Sequence, residues 1–344
     1  MKIKTIHIKN FKSIQEIKID CNTGINAFIG KNGTGKSAVF DAVNFVLGET
    51  YPTANTFQTD WFNDSSKQTE IEIEFFKPYY EYTFKGYRDE VKSITFKAFC
   101  EEKLETSLTK NEDTQYNIKG EARDYHRINY IGSERSIKSI MPTNSWSLLG
   151  RQFYNSNFLG SGIEDEFKAF LNKAKEALEK SDNLKKFMES INEALPKQIN
   201  RLDIQSEFKM YDETHFLKTL EFYVEKNNKQ VNIANEGSGI QNSFILATLQ
   251  ALARKDFREK NKPAGNPIFI DEPELYLHPH AKKSLYNTLN KLAESGTQIF
   301  YITHSAEFLS YHKSEEIHRF YIDEKKVQNA KLEVKIMDLQ KGRK

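Results

Sequence analysis

Hydrophobic and polar positions alternate with period two along the first third of the chain and then shift to a helical spacing. Lys2 to Ile8 and Ile14 to Ile19 both alternate, as half-buried strands do. Ile25 to Ile29 is a short apolar run, the mark of a buried strand, and Ala38 to Leu47 follows with helical spacing. Glu70 to Phe76, Tyr80 to Phe84 and Ser93 to Cys100 alternate again and are rich in Ile, Tyr, Phe and Thr, which predicts an antiparallel meander. From Ile163 the period changes: Ile163, Phe167, Phe170, Leu171, Ala174 and Leu178 share one helical face, with Lys and Glu opposite. After Ser181-Asp182, a candidate N-cap, the residues Leu184, Phe187, Met188, Ile191 and Leu195 repeat the pattern until Pro196 stops it. The two segments predict a helical hairpin of about 35 residues, either a packed lobe or a surface for dimerisation or DNA clamping. No run of heptads long enough for a coiled-coil arm is present.

From Phe216 the pattern returns to β, turning at Asn227-Asn228, and a glycine-punctuated loop leads into an apolar helix, Phe244 to Leu252. Pro267 to Asp271 reads as a buried strand, His278 to Ala293 as a helix and Gln298 to Thr303 as another buried strand. Apolar strands alternating with a helix predict a sheet covered on both faces. The expected organisation is an N-terminal part over residues 1–160, a helical insertion over 161–212 and a C-terminal part over 213–344.

The connection between the run ending at Ile29 and the helix beginning near Ala38 changes the picture most. Gly30-Lys31-Asn32-Gly33-Thr34-Gly35-Lys36-Ser37 is a complete phosphate-binding loop in the strand–loop–helix setting that gives the motif its meaning. Its glycines let backbone N–H groups turn in around phosphate oxygens, and the helix start adds partial positive charge. The cradle is Gly30, Asn32, Gly33, Thr34, Gly35, Lys36, Ser37 and Ala38. Within it Lys36 is expected to reach the β- and γ-phosphates, and the Ser37 hydroxyl to ligate Mg²⁺.

Composition narrows the class without choosing it. The chain has 344 residues, enough for one large domain or two, and 50 basic against 48 acidic side chains give a formal charge of +2. No global field therefore draws in a polyanion, and contact with nucleic acid has to come from local patches. Two such patches are the stretch Arg254 to Lys262 and the segment Lys325 to Lys344, where seven basic and two acidic side chains make a local +5. Cys21 and Cys100 lack metal-ligand spacing and suit a reducing compartment. No apolar run approaches the length of a membrane span, and Met1-Lys2-Ile3-Lys4 lacks the apolar core of a signal peptide. A soluble cytoplasmic protein that does not meet a membrane is expected.

Ile268-Phe269-Ile270-Asp271-Glu272 is an apolar strand closing in two acids. Beside a phosphate loop, Asp271 suits the carboxylate that holds Mg²⁺, and Glu272 the one that orients and deprotonates water. Past the next buried strand, Tyr301-Ile302-Thr303-His304-Ser305 places His304 where it could sense or stabilise a γ-phosphate. Asn235-Glu236-Gly237-Ser238-Gly239-Ile240-Gln241 is a second anion nest at a helix start. One triphosphate has no need of two such nests. Ser238 and Gly239 are therefore expected to close on nucleotide held by the phosphate loop of a second copy, which makes ATP-bridged homodimerisation a structural expectation.

Taken together these segments resemble the ABC-type ATPases of the SMC-like and RecF-like group. They are most similar to the ATPase domain of the OLD (overcoming lysogenization defect) family and related AAA-type anti-phage ATPases. The resemblance is carried by Ile8-Lys9-Asn10-Phe11-Lys12-Ser13-Ile14, the phosphate loop (Walker A) and Ser238-Gly239-Ile240-Gln241, a Ser-Gly-x-Gln signature. Asp271-Glu272-Pro273-Glu274-Leu275-Tyr276-Leu277-His278-Pro279 matches Walker B with its D-loop, and Thr303-His304-Ser305 the switch histidine. It implies an α/β fold with an antiparallel β-meander and a helical insertion lobe, binding of ATP and Mg²⁺, and a nucleotide-binding role for Ser238, Gly239 and Gln241. The family's Q-loop glutamine has no clear counterpart; Glu134 or Arg135 occupies a similar place. The C-terminal TOPRIM motifs of OLD nucleases do not appear after His304, so no nuclease site is expected here. The leading expectation is a dimerising ATPase that controls DNA processing in phage defence. It would be either the ATPase portion of a longer enzyme or the partner of a separate nuclease effector. A RecF-like repair ATPase and a slow ATP-dependent sensor are the alternatives.

Overall fold

The computed structural model describes residues 1–48, 50–82, 88–101, 103–111, 113–117, 127–132, 141, 147, 149, 161–194, 219–226, 229–252, 266–275, 277, 279–323 and 326–331. The chain divides into two units, Met1–Ile137 with Asn235–Lys344, and Lys138–Ala234. The first carries two six-stranded sheets among the described residues.

One sheet is antiparallel throughout. It contains β1 (Ile3–Phe11), β2 (Ile14–Asp20), β4 (Thr69–Tyr82), β5 (Arg88–Cys100), β6 (Leu104–Lys110) and β7 (Asp113–Asn117), in the order β2-β1-β4-β5-β6-β7. The alternation seen in the sequence puts Ile6, Ile8, Ile71, Ile73, Ile94 and Phe96 inside, and ion pairs such as Lys9–Glu70 (3.0 Å) and Lys97–Glu70 (3.1 Å) outside. The expected break before Tyr80 is not a strand end. Tyr80 to Tyr82 continue β4 after a register shift between Glu74 and Tyr79. Pro78 falls inside this shift, where a residue without an N–H interrupts the ladder at least cost.

The other sheet is built around β3 (Ile25–Gly30), with β8 (Asn129–Ile131), β11 (Ile268–Asp271), β12 (Ile299–Ile302), β13 (Ile317–Asp323) and β14 (Lys326–Lys331). Its order is β14-β13-β3-β12-β11-β8, and every pair is parallel except β13–β14. The central strands β3, β11 and β12 are the apolar runs of the sequence and are mostly buried, as parallel strands are. Helix α1 (Lys36–Leu47) follows the phosphate loop and shares one buried cluster with side chains of both sheets. Phe28 of β3 packs its ring against Phe40 of α1 at 5.5 Å, Phe300 at 6.2 Å and Phe320 at 4.9 Å. Each such pair adds roughly 0.5–1.5 kcal/mol beyond burial. Helices α4 (Ser238–Leu252) and α5 (Pro279–Glu294) also belong to this unit.

A fully buried glutamine links the two sheets. The Oε1 atom of Gln298 accepts the Ile3 N–H at 2.7 Å, and its Nε2 donates to the carbonyls of Ile3 and Asn22, both at 2.7 Å. The amide thus satisfies the backbone of β1 at the foot of β12.

In the second unit, α2 (Ser161–Glu179) and α3 (Asp182–Ala194) form consecutive helices, and β9 (Tyr223–Lys226) pairs with β10 (Lys229–Asn232). Phe170 and Phe187 are 66% and 63% exposed on their helices. The turn at Asn227-Asn228, the stop at Pro196, Glu134, Arg135, the Arg254 to Lys262 stretch and the basic tail after Lys331 lie outside the described residues.

Replacing Gln298 with leucine should remove the bonds it makes to the Ile3 N–H and carbonyl in the core, while the Asn22 carbonyl keeps the Asn26 amide at 3.0 Å. An unmade buried hydrogen bond costs about 1–3 kcal/mol, so a loss of about 3 kcal/mol or more in urea unfolding is expected. A loss under about 1 kcal/mol would show that the two sheets do not depend on this amide.

Candidate nucleotide site

Backbone pairing aligns the strand ends. Ile302 of β12 stands opposite Phe28 of β3 and Asp271 of β11, and Phe320 of β13 stands opposite Gly30. The phosphate loop, the acid pair and the histidine segment therefore leave the sheet along one edge. That is the carboxyl edge of parallel strands, where α/β sheets bind ligands.

In the loop, Gly30, Gly33 and Gly35 have φ of 151°, 77° and 86°, and Gly35 in left-handed geometry is the N-cap of α1. Gly30 is also needed for space: a Cβ there would lie 2.4 Å from the carbonyl oxygen of Phe320. Thr34 closes the loop, its hydroxyl donating to the Lys31 carbonyl at 2.8 Å. Lys36 is 4% exposed, and its Nζ donates to the carbonyls of Gly30 and Lys31, both at 2.9 Å. Burial lowers its pKa from the ordinary lysine value, and the negative charges of Asp271 and Glu272 oppose that shift. The ammonium thus lies within the field of both acids. Ser37 and Ala38 continue the first turn of α1, with Ser37 exposed and Ala38 buried; Asn32 is exposed in the loop.

Asp271 ends β11, and Glu272 follows with φ of 47°, a left-handed conformation that costs a non-glycine residue roughly 1–2 kcal/mol. Its N–H nevertheless stays on the ladder, donating to the Ile302 carbonyl at 3.0 Å. The side chain reaches His304, with 3.8 Å between Glu272 Oε1 and His304 Nε2. Burial, followed by the charges of Asp41 and Asp271, raises the Tyr130 hydroxyl pKa well above the usual phenol range, so this β8 tyrosine belongs to the same electrostatic neighbourhood.

The Asn10-Phe11-Lys12 segment is tied to the site's scaffold. The Asn10 side chain donates to the Asp64 and Lys67 carbonyls at 2.9 and 2.7 Å. Lys12 pairs with Asp41 of α1 at 2.7 Å and lies 5.1 Å from the Trp61 ring centroid. Sequence reasoning overlooked Asp41, Trp61 and Tyr130 because their importance comes from contacts between distant segments. Glu274 and Thr303 lay within quoted motifs but had no role assigned.

At the second nest the helix begins earlier than its apolar pattern, because polar and small residues at the first turn carry no periodicity. Ser238 and Gly239 lie in the first turn of α4, and the Ile240 and Gln241 N–H groups donate to the Gly237 carbonyl at 3.0 and 3.2 Å. The Gln241 side chain turns back to the Glu236 carbonyl at 2.8 Å. A Cβ at Gly237 or Gly239 would meet nothing within 4 Å, so internal packing does not demand glycine at either position.

The Ser37 hydroxyl and Asp271 carboxylate are hard oxygen donors of the kind Mg²⁺ takes beside phosphate oxygens and water. Among the described residues no cluster of three or more His, Cys, Asp or Glu side chains could hold a metal by itself. The donor set fits a cation shared with a phosphate.

A phosphate loop on the central strand, an acid pair one strand removed and an accompanying antiparallel sheet define an ABC-type ATPase domain. Residues 25–310 match the family described as "AAA domain, putative AbiEii toxin, Type IV TA system", and the chain belongs to it, as an ABC-like domain of the OLD type. It is 24% identical over 350 residues to the OLD nuclease of Thermus scotoductus, across 92% of this chain and 61% of the relative. It is 34% identical over 138 residues to the Old nuclease of Escherichia phage P2, across 38% of this chain and 24% of that protein. The chain thus spans only about three-fifths and a quarter of these two relatives' lengths. Its fold resembles the Smc head domain with an extended coiled coil bound to the C-terminal domain of ScpA from Pyrococcus furiosus, with a TM-score of 0.55, 17% identity and 96% of each chain covered. A second likeness is to the SmcHead bound to the C-winged helix domain of ScpA, with a TM-score of 0.54, 16% identity, and 97% and 99% covered. The ABC-type fold expected from the motifs is the fold observed.

The two loop glycines should respond differently to alanine. Gly33→Ala meets only the cost of positive φ, roughly 1 kcal/mol. Gly30→Ala must also move the β13 backbone, adding about 1–3 kcal/mol. Denaturant unfolding that gave equal losses would contradict the close approach of β13 to the loop.

Proposed function

We propose that this chain binds and hydrolyses ATP, and that hydrolysis regulates DNA processing as the ATPase part or subunit of an OLD-like nuclease system acting in phage defence. The observation that carries the reading is the grouping of a buried Lys36 with Asp271 and Glu272, and of Glu272 with His304. A lysine held beneath a glycine loop and facing two acids is poorly explained as packing; it suits an anion that brings its own negative charge and a cation.

Backbone N–H groups from Gly33 to Ser37 would cradle the phosphates, and Lys36 would hold the γ-phosphate while charge shifts during transfer. Ser37 and Asp271 would hold Mg²⁺, which when bound offsets the phosphate charge. Glu272 would orient the attacking water and accept its proton. His304 would stabilise the terminal phosphate from the next strand end, close enough to share that water's surroundings with Glu272.

The open nest at Ser238, Gly239 and Gln241 would close on the nucleotide of a second copy, giving a homodimer with ATP at the interface. The exposed Phe170 and Phe187 offer further apolar surface for such pairing. In this reading nuclease chemistry comes from another domain or subunit. Contact with DNA would run through phosphates and weaken steeply with salt. Within the described residues no helix is long and apolar enough to cross a membrane.

Glu272→Gln should lower phosphate release by roughly a hundredfold while ATP binding persists and the dimer accumulates on size-exclusion chromatography. Chelating Mg²⁺ should stop turnover in the unaltered protein. An undiminished rate in Glu272→Gln would remove this carboxylate from the mechanism.

A further inference from the structure

Glu274 lies two residues past Glu272 in the turn leaving β11, and it is buried, at 7% exposure. A buried carboxyl group is costly unless it is well bonded. Its Oε1 accepts a hydrogen bond from Oγ1 of Thr303, which is 1% exposed just past β12, while its Oε2 has no hydrogen-bond partner among the described residues. The same Thr303 oxygen accepts the Ser305 N–H at 3.1 Å, and the Thr303 N–H donates to Phe28 of β3 at 3.1 Å. Ser305 starts the short helix Ala306–Leu309: its Oγ accepts the Phe308 N–H at 3.2 Å and its carbonyl the Leu309 N–H at 3.1 Å. His304 is therefore the one residue between two pinned neighbours.

The direction of these bonds matters. A threonine hydroxyl has one proton and two lone pairs. With the proton committed to Glu274, a lone pair is aimed at the Ser305 N–H, and the backbone carrying His304 has a single arrangement. An apolar side chain at 274 could fill the same space without the desolvation cost, but could not orient the hydroxyl.

We propose that Glu274 is a positioning residue for hydrolysis: through Thr303 it fixes the segment bearing His304 and so sets the separation of His304 from Glu272. This rests on the ATPase reading above. Glu274→Ala and Thr303→Val should each lower kcat by about tenfold or more with KM for ATP within about twofold. The double variant should be no slower than the slower single one, since both remove one link. Glu274→Gln and Thr303→Ser keep an acceptor and a hydroxyl and should stay within about threefold of the parent. Amide hydrogen exchange supplies a readout independent of turnover: protection at Ser305 should fall in the Ala and Val variants and persist in the Gln and Ser variants.

Additive losses in the double variant, unchanged kcat in Glu274→Ala and Thr303→Val, or unchanged Ser305 protection would overturn the proposal. Should Glu274→Ala fail to fold, Thr303→Val against Thr303→Ser makes the same comparison. Should the parent bind ATP without hydrolysing it, the ATPase reading falls, while Ser305 exchange still decides whether Glu274 holds the segment.

Discussion

The site depends on the hydrogen-bonded register of three parallel strands. Pairing of β3 with β12, and of β12 with β11, brings the ends of all three to one level. A shift of one residue in either pair would turn side chains to the opposite face and move the acids by about 3.3 Å along the strand. The Glu272 N–H bond to Ile302 carries the ladder one step past the strand, so the acid's position is set by the backbone before its side chain is considered. The aromatic layer of Phe28, Phe40, Phe269 and Phe300 then holds α1, and with it Lys36, against those strands.

Several features that cost stability gather along this edge. Lys36 is buried with its pKa lowered, Glu272 adopts a left-handed backbone, and Gly30 gives up a side chain so that β13 can approach. Strain and desolvation persist only where the surrounding structure over-determines them. Here the surroundings are two sheets joined through Gln298 and a hairpin turn laced down by Asn10. A buried ammonium, a left-handed acid and a side chain given up at Gly30 thus meet on one edge of the sheet.

Much of this was legible in the sequence because the motifs are local. The loop from Gly30 to Ser37, the Asp271-Glu272 pair and the apolar runs of β3, β11 and β12 each occupy a few consecutive residues with their own periodicity or glycine spacing. The division of strands between two sheets was not legible: β1 and β2 alternate like any half-buried strand, and nothing local says that they pair with β4 rather than β3. The continuous β4 was hidden by Pro78, which breaks the alternation without ending the strand. Glu274 is the clearest miss. An acid after an acid pair reads as a solvated turn residue, and only the fold shows it buried against a threonine 29 residues away in sequence but adjacent in space.

On the proposed reading, Lys36, Ser37, Glu272 and His304 converge on one magnesium-bound triphosphate, closed by the nest of a second copy. A crystal structure with Mg²⁺ and a non-hydrolysable ATP analogue tests it most directly. The account predicts Lys36 Nζ and His304 Nε2 within hydrogen-bond reach of the γ-phosphate, the Ser37 oxygen on the metal, and Ser238 and Gly239 of a neighbouring copy against the same phosphate. A triphosphate bound away from this edge, or Glu272 and His304 turned from it, would contradict the account.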